Sequence, residues 1–206
     1  MSFGSTPALA DGLLVRIVTN QDKPLGGAVI EVRSLSEPRR PQAPVDAIMD
    51  QQGLAFLPEV LLVPVGSRIG FPNTDMVSHQ VYSFSPTKRF QLPLYRGKPY
   101  PPVHFDVACV VTVGCNIHDN MMGYVFISDA AYFGQTDQDG RWSLPALPPG
   151  RYSVSLWHWR LRNPAKLPTQ ELTVTGSTAS TDLVFRLAET LKPQRAATPR
   201  AGWDSY

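Results

Sequence analysis

The sequence is organised around Gly114–Gly123 (GCNIHDNMMG), in which Cys115 and His118 stand three positions apart and two methionines follow. A thiol, an imidazole and two thioethers within one short loop form a soft-metal ligand set. Two imidazoles and a thiolate in one plane, with a weak axial thioether, make a blue-copper arrangement, which favours copper over zinc. The loop itself carries one histidine, so this arrangement requires a second histidine from elsewhere in the chain.

The composition of the 206-residue chain indicates an all-β protein. It contains 20 Pro and 15 Gly, only 17% of its residues are charged, and its apolar residues fall in short β-branched and aromatic runs between turn residues. Its 19 Lys and Arg against 17 Asp and Glu, without a basic cluster in the predicted folded part, do not indicate a nucleic-acid surface. No apolar run reaches the roughly 20 residues needed to span a bilayer, so no membrane span is predicted.

Short strands are predicted along most of the chain. In order, they cover 13–18, 28–32, 45–49, 55–58, 59–65, 68–72, 80–84, 90–94, 103–105, 107–113, 123–128, the turn and strand of 136–144, 148–157, 171–174 and 180–186. The polar loop Asn73–His79 ends in a histidine at the head of strand 80–84, which makes His79 the candidate second imidazole. The segment 34–44 is predicted to be a linker, and 1–11 and 189–206 are predicted to be disordered tails.

The two cysteines, Cys109 and Cys115, are not expected to form a disulfide. If 107–114 is one strand, six residues at about 3.3 Å each separate the two sulfurs by roughly 20 Å, which is beyond disulfide reach. Cys115 is therefore predicted to be a free thiolate. Cys109 is predicted to be a buried, small apolar residue of the strand.

Three motifs make residues 45–128 resemble the cupredoxins, plastocyanin and amicyanin above all. They are Leu54–Pro58 (LAFLP), Val65–Asn73 (VGSRIGFPN) followed by His79, and Cys115–His118 (CNIH). The resemblance implies a Greek-key β-sandwich over residues 41–130 that binds one copper ion. It also implies that His79, Cys115 and His118 are the equatorial copper ligands.

The resemblance leaves the axial ligand open between two methionines. The short amicyanin-like spacing, Cys-x-x-His-x-x-Met, selects Met121, whereas the longer plastocyanin spacing falls on Gly123, which offers no ligand. Met122 is kept as the alternative axial ligand. Asn73 and Asp75 are candidates for groups that bridge the ligand loops and orient the imidazoles, and they are equally well explained as ordinary turn residues.

Residues 12–34 and 132–187 together resemble the carboxypeptidase regulatory-like β-sandwich. The matching pieces are Asp22–Leu25 (DKPL), Thr136–Trp142 (TDQDGRW) and Leu147–Tyr152 (LPPGRY). In that family the second block follows the first directly, whereas here the predicted copper domain lies between them. We therefore expect a cupredoxin nested in a loop of a second, discontinuous sandwich. The whole chain resembles bacterial proteins labelled methylamine-utilisation proteins, a label that does not itself establish a role.

These resemblances imply a periplasmic type 1 copper protein that carries single electrons between redox partners. The ligand set offers no open equatorial position and no general base near by, so the chain is predicted not to be an enzyme. A redox partner is expected to dock at the copper end, where His118 is the electron port. Ala8–Ala10 has the small-x-small pattern of a signal-peptidase site without the upstream regions, so a trimmed signal is expected.

Two other functions fit the same residues. The first is a copper-binding or copper-handling protein of the cell envelope, in which the metal is carried or buffered without electron transfer. The second is an adhesion module in which the metal only stabilises the fold. Reversible redox colour distinguishes the electron carrier from both.

Overall fold

The computed structural model describes residues 12–97, 100–145, 147–163, 166–175, 181–187 and 191–192. These residues form seventeen β-strands and no helix, so the predicted all-β fold is confirmed. The strands of the first half are β1 (Gly12–Val18), β2 (Val29–Ser34), β3 (Asp46–Ile48), β4 (Asp50–Gln52), β5 (Ala55–Leu57), β6 (Val60–Pro64), β7 (Ser67–Gly70), β8 (His79–Ser85) and β9 (Lys88–Tyr95). Those of the second half are β10 (Val103–Phe105), β11 (Cys109–Gly114), β12 (Met122–Ser128), β13 (Tyr132–Gln135), β14 (Arg141–Pro145), β15 (Gly150–Trp157), β16 (Thr169–Val174) and β17 (Thr181–Arg186).

The chain forms two compact units. The outer unit consists of the described residues up to Arg40 together with Ala131–Lys192, and the inserted unit is Pro41–Ala130. Along the sequence, the inserted unit therefore lies between the two segments of the outer unit. The predicted disordered tails, 1–11 and 189–206, lie outside the described residues except for Leu191 and Lys192, as does the proposed signal-peptidase site.

The inserted unit consists of two sheets and a hairpin. Its five-stranded sheet has the order β6-β12-β11-β8-β9, its three-stranded sheet has the order β10-β7-β3, and β4 pairs with β5. On β11, the buried Val111 and Val113 flank the exposed Thr112, because successive side chains of a strand point to opposite faces. These valines join Ile69 and Phe105 of the smaller sheet in one core, so the two sheets pack as a sandwich.

Two differences between the predicted and the observed strands concern which strands pair. The single strand predicted at 45–49 ends before Met49, because β3 pairs with β7 whereas β4 turns away to pair with β5. The side chain of Met49 is fully buried at this break. Strand β13 was not predicted, because Gly134 interrupts the apolar pattern of a strand. In the structure, a Cβ atom at Gly134 would lie 2.0 Å from Nε1 of Trp142.

The outer unit also contains two sheets, with the orders β14-β1-β17 and β13-β2-β15-β16. Buried side chains from both sheets, among them Val15 and Ile17 of β1 and Ile30 of β2, form its core, and Leu191 packs against that core. The resemblance of this unit to the carboxypeptidase regulatory-like sandwich stays a prediction. Within the described part of the chain, no helix is long and apolar enough to cross a membrane.

Candidate metal centre

The structure brings His79, Cys115 and His118 together at one end of the five-stranded sheet. His79 begins β8, and Cys115 directly follows β11, the strand that pairs with β8. The Sγ atom of Cys115 lies 3.4 Å from Nδ1 of His118 and 3.8 Å from Nδ1 of His79. The two Nδ1 atoms lie 3.1 Å apart. Among the described His, Cys, Asp and Glu residues, these three form the one group able to hold a metal ion.

The spacing of the three donor atoms fits a single metal ion. From the three distances, the point equidistant from the two Nδ1 atoms and the Sγ atom lies about 2.0 Å from each of them. In zinc sites of proteins, the metal lies about 2.0–2.1 Å from a His nitrogen and about 2.3 Å from a Cys sulfur. One thiolate and two imidazoles are ligands that suit copper and zinc. The donor set and its geometry therefore fit the copper ion that the sequence predicts.

Asp75 holds the imidazole of His79 in the tautomer that a metal ligand requires. Nε2 of His79 lies 2.9 Å from Oδ2 of Asp75. An ionised carboxylate only accepts hydrogen bonds, so Nε2 carries the proton and Nδ1 keeps its lone pair towards Cys115 and His118. The side chain of His79 is 0% exposed, and it begins a strand of the central sheet. The imidazole is therefore held by the hydrogen bond at Nε2 and by the packing around its buried side chain.

Hydrogen bonds keep the carboxyl group of Asp75 ionised. Burial raises its pKa, but bonds from the Leu54 N–H, from His79 and from the Met76 N–H outweigh burial, so the pKa lies below its ordinary value. The Leu54 N–H donates to Oδ2 at 2.9 Å, and the Met76 N–H donates to Oδ1 at 2.7 Å. Both oxygens are thus engaged, and the carboxylate carries its charge at neutral pH.

Asn73 fixes the loop that carries Asp75, which we call the His79 loop (Asn73–His79). Its Nδ2 donates to the carbonyl oxygens of Val77 at 3.0 Å and Tyr95 at 2.8 Å, and its Oδ1 accepts from the Asp75 N–H at 3.0 Å. The side chain is buried. Of the two residues predicted to orient the imidazoles, Asp75 touches His79 directly, whereas Asn73 acts on the backbone around it.

His118 has a different environment from His79. Its side chain is partly exposed, and no described residue forms a hydrogen bond with its Nε2 atom. Burial lowers the pKa of His118, the neighbouring His79 lowers it further, and Asp75 opposes both effects. The imidazole is therefore neutral at pH 7, with Nδ1 directed at the other two donors.

Backbone hydrogen bonds close the second ligand loop, which we call the Cys115 loop (Cys115–Met121). The Met121 N–H donates to the His118 carbonyl at 2.9 Å, and the Cys115 N–H donates to the Met121 carbonyl at 3.1 Å. Met121 is buried in the same core as Cys115. Met122 is partly exposed at the start of β12, and its sulfur accepts a hydrogen bond from the Tyr124 hydroxyl at 3.6 Å. Burial therefore distinguishes the two methionines left open by the sequence.

Two glycines that flank the Cys115 loop contribute to the site, although the sequence analysis gave them no role. A Cβ atom at Gly123 would lie 2.9 Å from Cβ of Phe56, and one at Gly114 would lie 3.0 Å from the Tyr82 ring. Aromatic side chains from β5 and β8 thus lie directly against the two ends of the loop. The available signal was the presence of glycine at both ends of the ligand motif.

The other cysteine lies outside the site, and its predicted burial is wrong. Both cysteines are free, but Cys109 is partly exposed, and its sulfur accepts a hydrogen bond from the Thr87 hydroxyl at 3.0 Å. The reason is that β11 begins at Cys109, so the residue lies at a strand end and not within the predicted strand 107–113.

The two remaining histidines, His104 and His158, also lie outside the site. His104 is exposed, and its Nε2 lies 3.1 Å from the Gly66 carbonyl oxygen. His158 is buried in the outer unit and accepts a hydrogen bond from the Arg160 N–H at Nδ1. Burial lowers the pKa of His158 to about 4, so its imidazole is neutral at pH 7.

Several copper proteins are similar in structure to parts of this chain. A purple cupredoxin from Nitrosopumilus maritimus is 24% identical with a TM-score of 0.37, and the match covers 40% of this chain and 100% of that one. A reduced Cu(I) form of an amicyanin variant is 19% identical with a TM-score of 0.37, covering 48% and 99%. A copper-containing nitrite reductase from Thermus scotoductus is 21% identical with a TM-score of 0.37, covering 54% and 28%. No protein-family model and no curated protein sequence matches the chain.

Proposed function

We propose that the inserted unit is a cupredoxin that holds one copper ion at His79, Cys115 and His118 and carries single electrons. The observation that carries this proposal is the convergence of one Sγ and two Nδ1 atoms, 3.1–3.8 Å apart, around one point. Copper bound by this donor set supplies a one-electron redox couple. No residue of the set is a free acid or base directed at a substrate, so we propose a carrier and not an enzyme.

The support of the ligands favours electron transfer. His79 is fixed by Asp75, and Cys115 is held between strand β11 and the backbone hydrogen bond to Met121. Ligands that are held in place without metal need to move little when the oxidation state of a bound metal changes, and such preorganisation is what a fast carrier requires. Of the two methionines, we propose Met121 as the axial ligand, because it is buried beside Cys115, with Met122 as the alternative.

The surroundings of His118 suit the docking of a redox partner. Ile117, in the Cys115 loop, is 52% exposed, and Met76, in the His79 loop, is 68% exposed. We propose that a redox partner docks where Ile117 and the partly exposed His118 reach the surface. We propose the periplasm as the location, because a copper–thiolate protein is normally matured outside the reducing cytosol.

The visible spectrum and voltammetry of the copper-loaded full chain test the proposal. We expect an intense charge-transfer colour and a reversible one-electron couple. Cys115→Ser is expected to abolish the colour while circular dichroism still shows a folded β protein. Cys109→Ser is the matched control, because it removes the other thiol, and we expect it to keep the colour. A colourless wild type that binds only zinc, or a coloured Cys115→Ser variant, would contradict the proposal.

A copper-handling role is the second candidate. The exposed thioether of Met76 on the His79 loop favours it, since thioethers are soft ligands that bind Cu(I). For this role we expect ready transfer of Cu(I) to a chelating acceptor and no reversible couple. Slow metal loss together with a reversible couple would exclude it in favour of the electron carrier.

A further inference from the structure

The two imidazoles of the proposed site differ in their outer nitrogen. Nε2 of His79 donates to the carboxylate of Asp75 at 2.9 Å, whereas Nε2 of His118 has no partner among the described residues. A histidine that donates to a carboxylate is a stronger base at its other nitrogen, because the negative charge draws the proton away from the ring. Nδ1 of His79 is therefore a stronger base than Nδ1 of His118.

The carboxylate of Asp75 is held by a second, independent segment, the β4–β5 hairpin. The Leu54 N–H donates to Oδ2 of Asp75, the oxygen that also accepts from His79, at 2.9 Å. Leu54 and Gly53 form the turn of this hairpin, with φ angles of 58° and 61°. A leucine in the left-handed region is strained, and such strain persists where the surrounding structure imposes it. The turn thus keeps an unfavourable conformation that directs its N–H at the carboxylate.

The same hairpin also holds the neighbouring residue of the His79 loop. The Thr74 hydroxyl donates to Oδ2 of Asp50 at 2.6 Å, and the Thr74 N–H lies 3.3 Å from Oδ1 of Asp50. Asp50 belongs to β4, so one hairpin contacts the His79 loop at two successive residues. The position of the Asp75 carboxylate is therefore determined by strands β4 and β5 as well as by its own loop.

We propose that Asp75, placed by the β4–β5 hairpin, is a positioning residue that lowers the reduction potential of the metal site through the charge it presents to His79. This inference rests on the proposed function and specifies how that site is tuned. A more basic imidazole stabilises a bound ion of higher charge more than one of lower charge. The hydrogen-bonded carboxylate therefore favours Cu(II) over Cu(I), without contacting the metal itself.

Asp75→Asn tests the proposal because it removes the charge and keeps one oxygen that accepts from His79. Losing such a partner typically costs about 10–100-fold in metal affinity, and we expect Cu(II) to bear this loss, so that its affinity falls about tenfold more than that of Cu(I). A tenfold fall equals a rise of about 59 mV in the reduction potential of a one-electron couple. The charge-transfer colour should remain, because all proposed ligands are present.

Asp119→Asn is the matched control for net charge, since it removes an exposed carboxylate next to His118 on the other loop. A potential shift in Asp75→Asn that is no larger than that of Asp119→Asn would overturn the proposal. Leu54→Gly keeps the N–H and relieves the turn, so we expect its potential to equal that of the wild type. A shift in Leu54→Gly as large as that in Asp75→Asn would assign the effect to packing of the hairpin instead.

Nitrogen NMR of the histidine side chains in the reduced, copper-loaded chain gives a second readout. We expect His79 to carry its proton on Nε2. The resonance of this proton should move upfield in Asp75→Asn, because its hydrogen bond to a neutral amide oxygen is weaker than that to a carboxylate. An unchanged resonance would overturn the inference. If the wild type has no redox couple at all, the proposed function fails. If the wild type has a couple and Asp75→Asn leaves it unchanged, only the role of Asp75 fails.

Discussion

The two ligand loops are supported in opposite ways. In the His79 loop, the side chains of Asn73 and Asp75 make the decisive hydrogen bonds, and His79 is fully buried. In the Cys115 loop, the hydrogen bonds that close the loop are between backbone groups, and His118 is partly exposed. The comparison indicates a division of roles, in which one imidazole is fixed and charge-tuned from the interior and the other connects the site to the surface.

Removing either imidazole is expected to have the largest effect, and the two variants should differ in whether added imidazole restores the copper colour. We expect His79→Gly and His118→Gly each to lower copper affinity by more than roughly 100-fold, above the range for losing an outer partner. Added imidazole should restore the colour of His118→Gly, because the vacated space reaches solvent. It should not restore His79→Gly, whose space is buried and faces the charge of Asp75. The measurement is a visible titration of each copper-loaded variant with imidazole.

The circular dichroism spectra of both glycine variants serve as the control for folding. Rescue of both variants by imidazole, or of neither, would contradict the proposed difference between a buried and an accessible ligand.

Replacing one asparagine in each ligand loop tests, through the free energy of unfolding, how far side chains support the two loops. Asn73→Ala leaves the carbonyl groups of Val77 and Tyr95 without their side-chain donor, so we expect the free energy of unfolding of the inserted unit to fall by about 1–3 kcal/mol. Asn120→Ala, in the Cys115 loop, removes an exposed side chain and should change it by less than about 0.5 kcal/mol. Urea unfolding of the metal-free chain measures both, and equal values would show that side chains do not dominate the support of the His79 loop.

Replacing the two candidate axial methionines is expected to give the smallest effect, a change in reduction potential. Met121→Leu is expected to keep the colour and to raise the reduction potential, because a weak axial thioether that stabilises the oxidised site is lost. Met122→Leu replaces a partly exposed side chain whose sulfur accepts from the Tyr124 hydroxyl, and we expect the potential to stay close to that of the wild type. Voltammetry of both variants decides the assignment. The reverse result would make Met122 the axial ligand.

Local patterns in the sequence were sufficient to pick out the three side chains that the structure brings together. Cys115 and His118 lie in one loop, and His79 stands at the head of a strand with alternating burial, so each was visible within a few residues. The all-β class followed in the same way from short apolar runs and frequent turn residues. These features depend on neighbours in sequence, which is the range over which periodicity and turn chemistry act.

The features that the sequence did not reveal depend on contacts between distant segments. In the sequence, Asn73 and Asp75 cannot be told apart from ordinary turn residues. The contact of Asp75 with the Leu54 N–H forms only when β4 and β5 pair. The requirement for glycine at Gly114 and Gly123 likewise comes from rings contributed by other strands. Cys109 was assigned to the wrong environment because a shift of two residues in a strand boundary moved it to the strand end.

Strands β2 and β13 pair with each other, although the whole inserted unit lies between them along the sequence. Val32 is directly opposite Tyr132, and the strands are antiparallel neighbours, as in an ordinary hairpin. By the logarithmic growth of loop-closure entropy, a flexible connection of about 100 residues costs only about 3 kcal/mol more to close than a four-residue loop. The topology thus explains how a small β unit tolerates an insertion of about its own size between two paired strands.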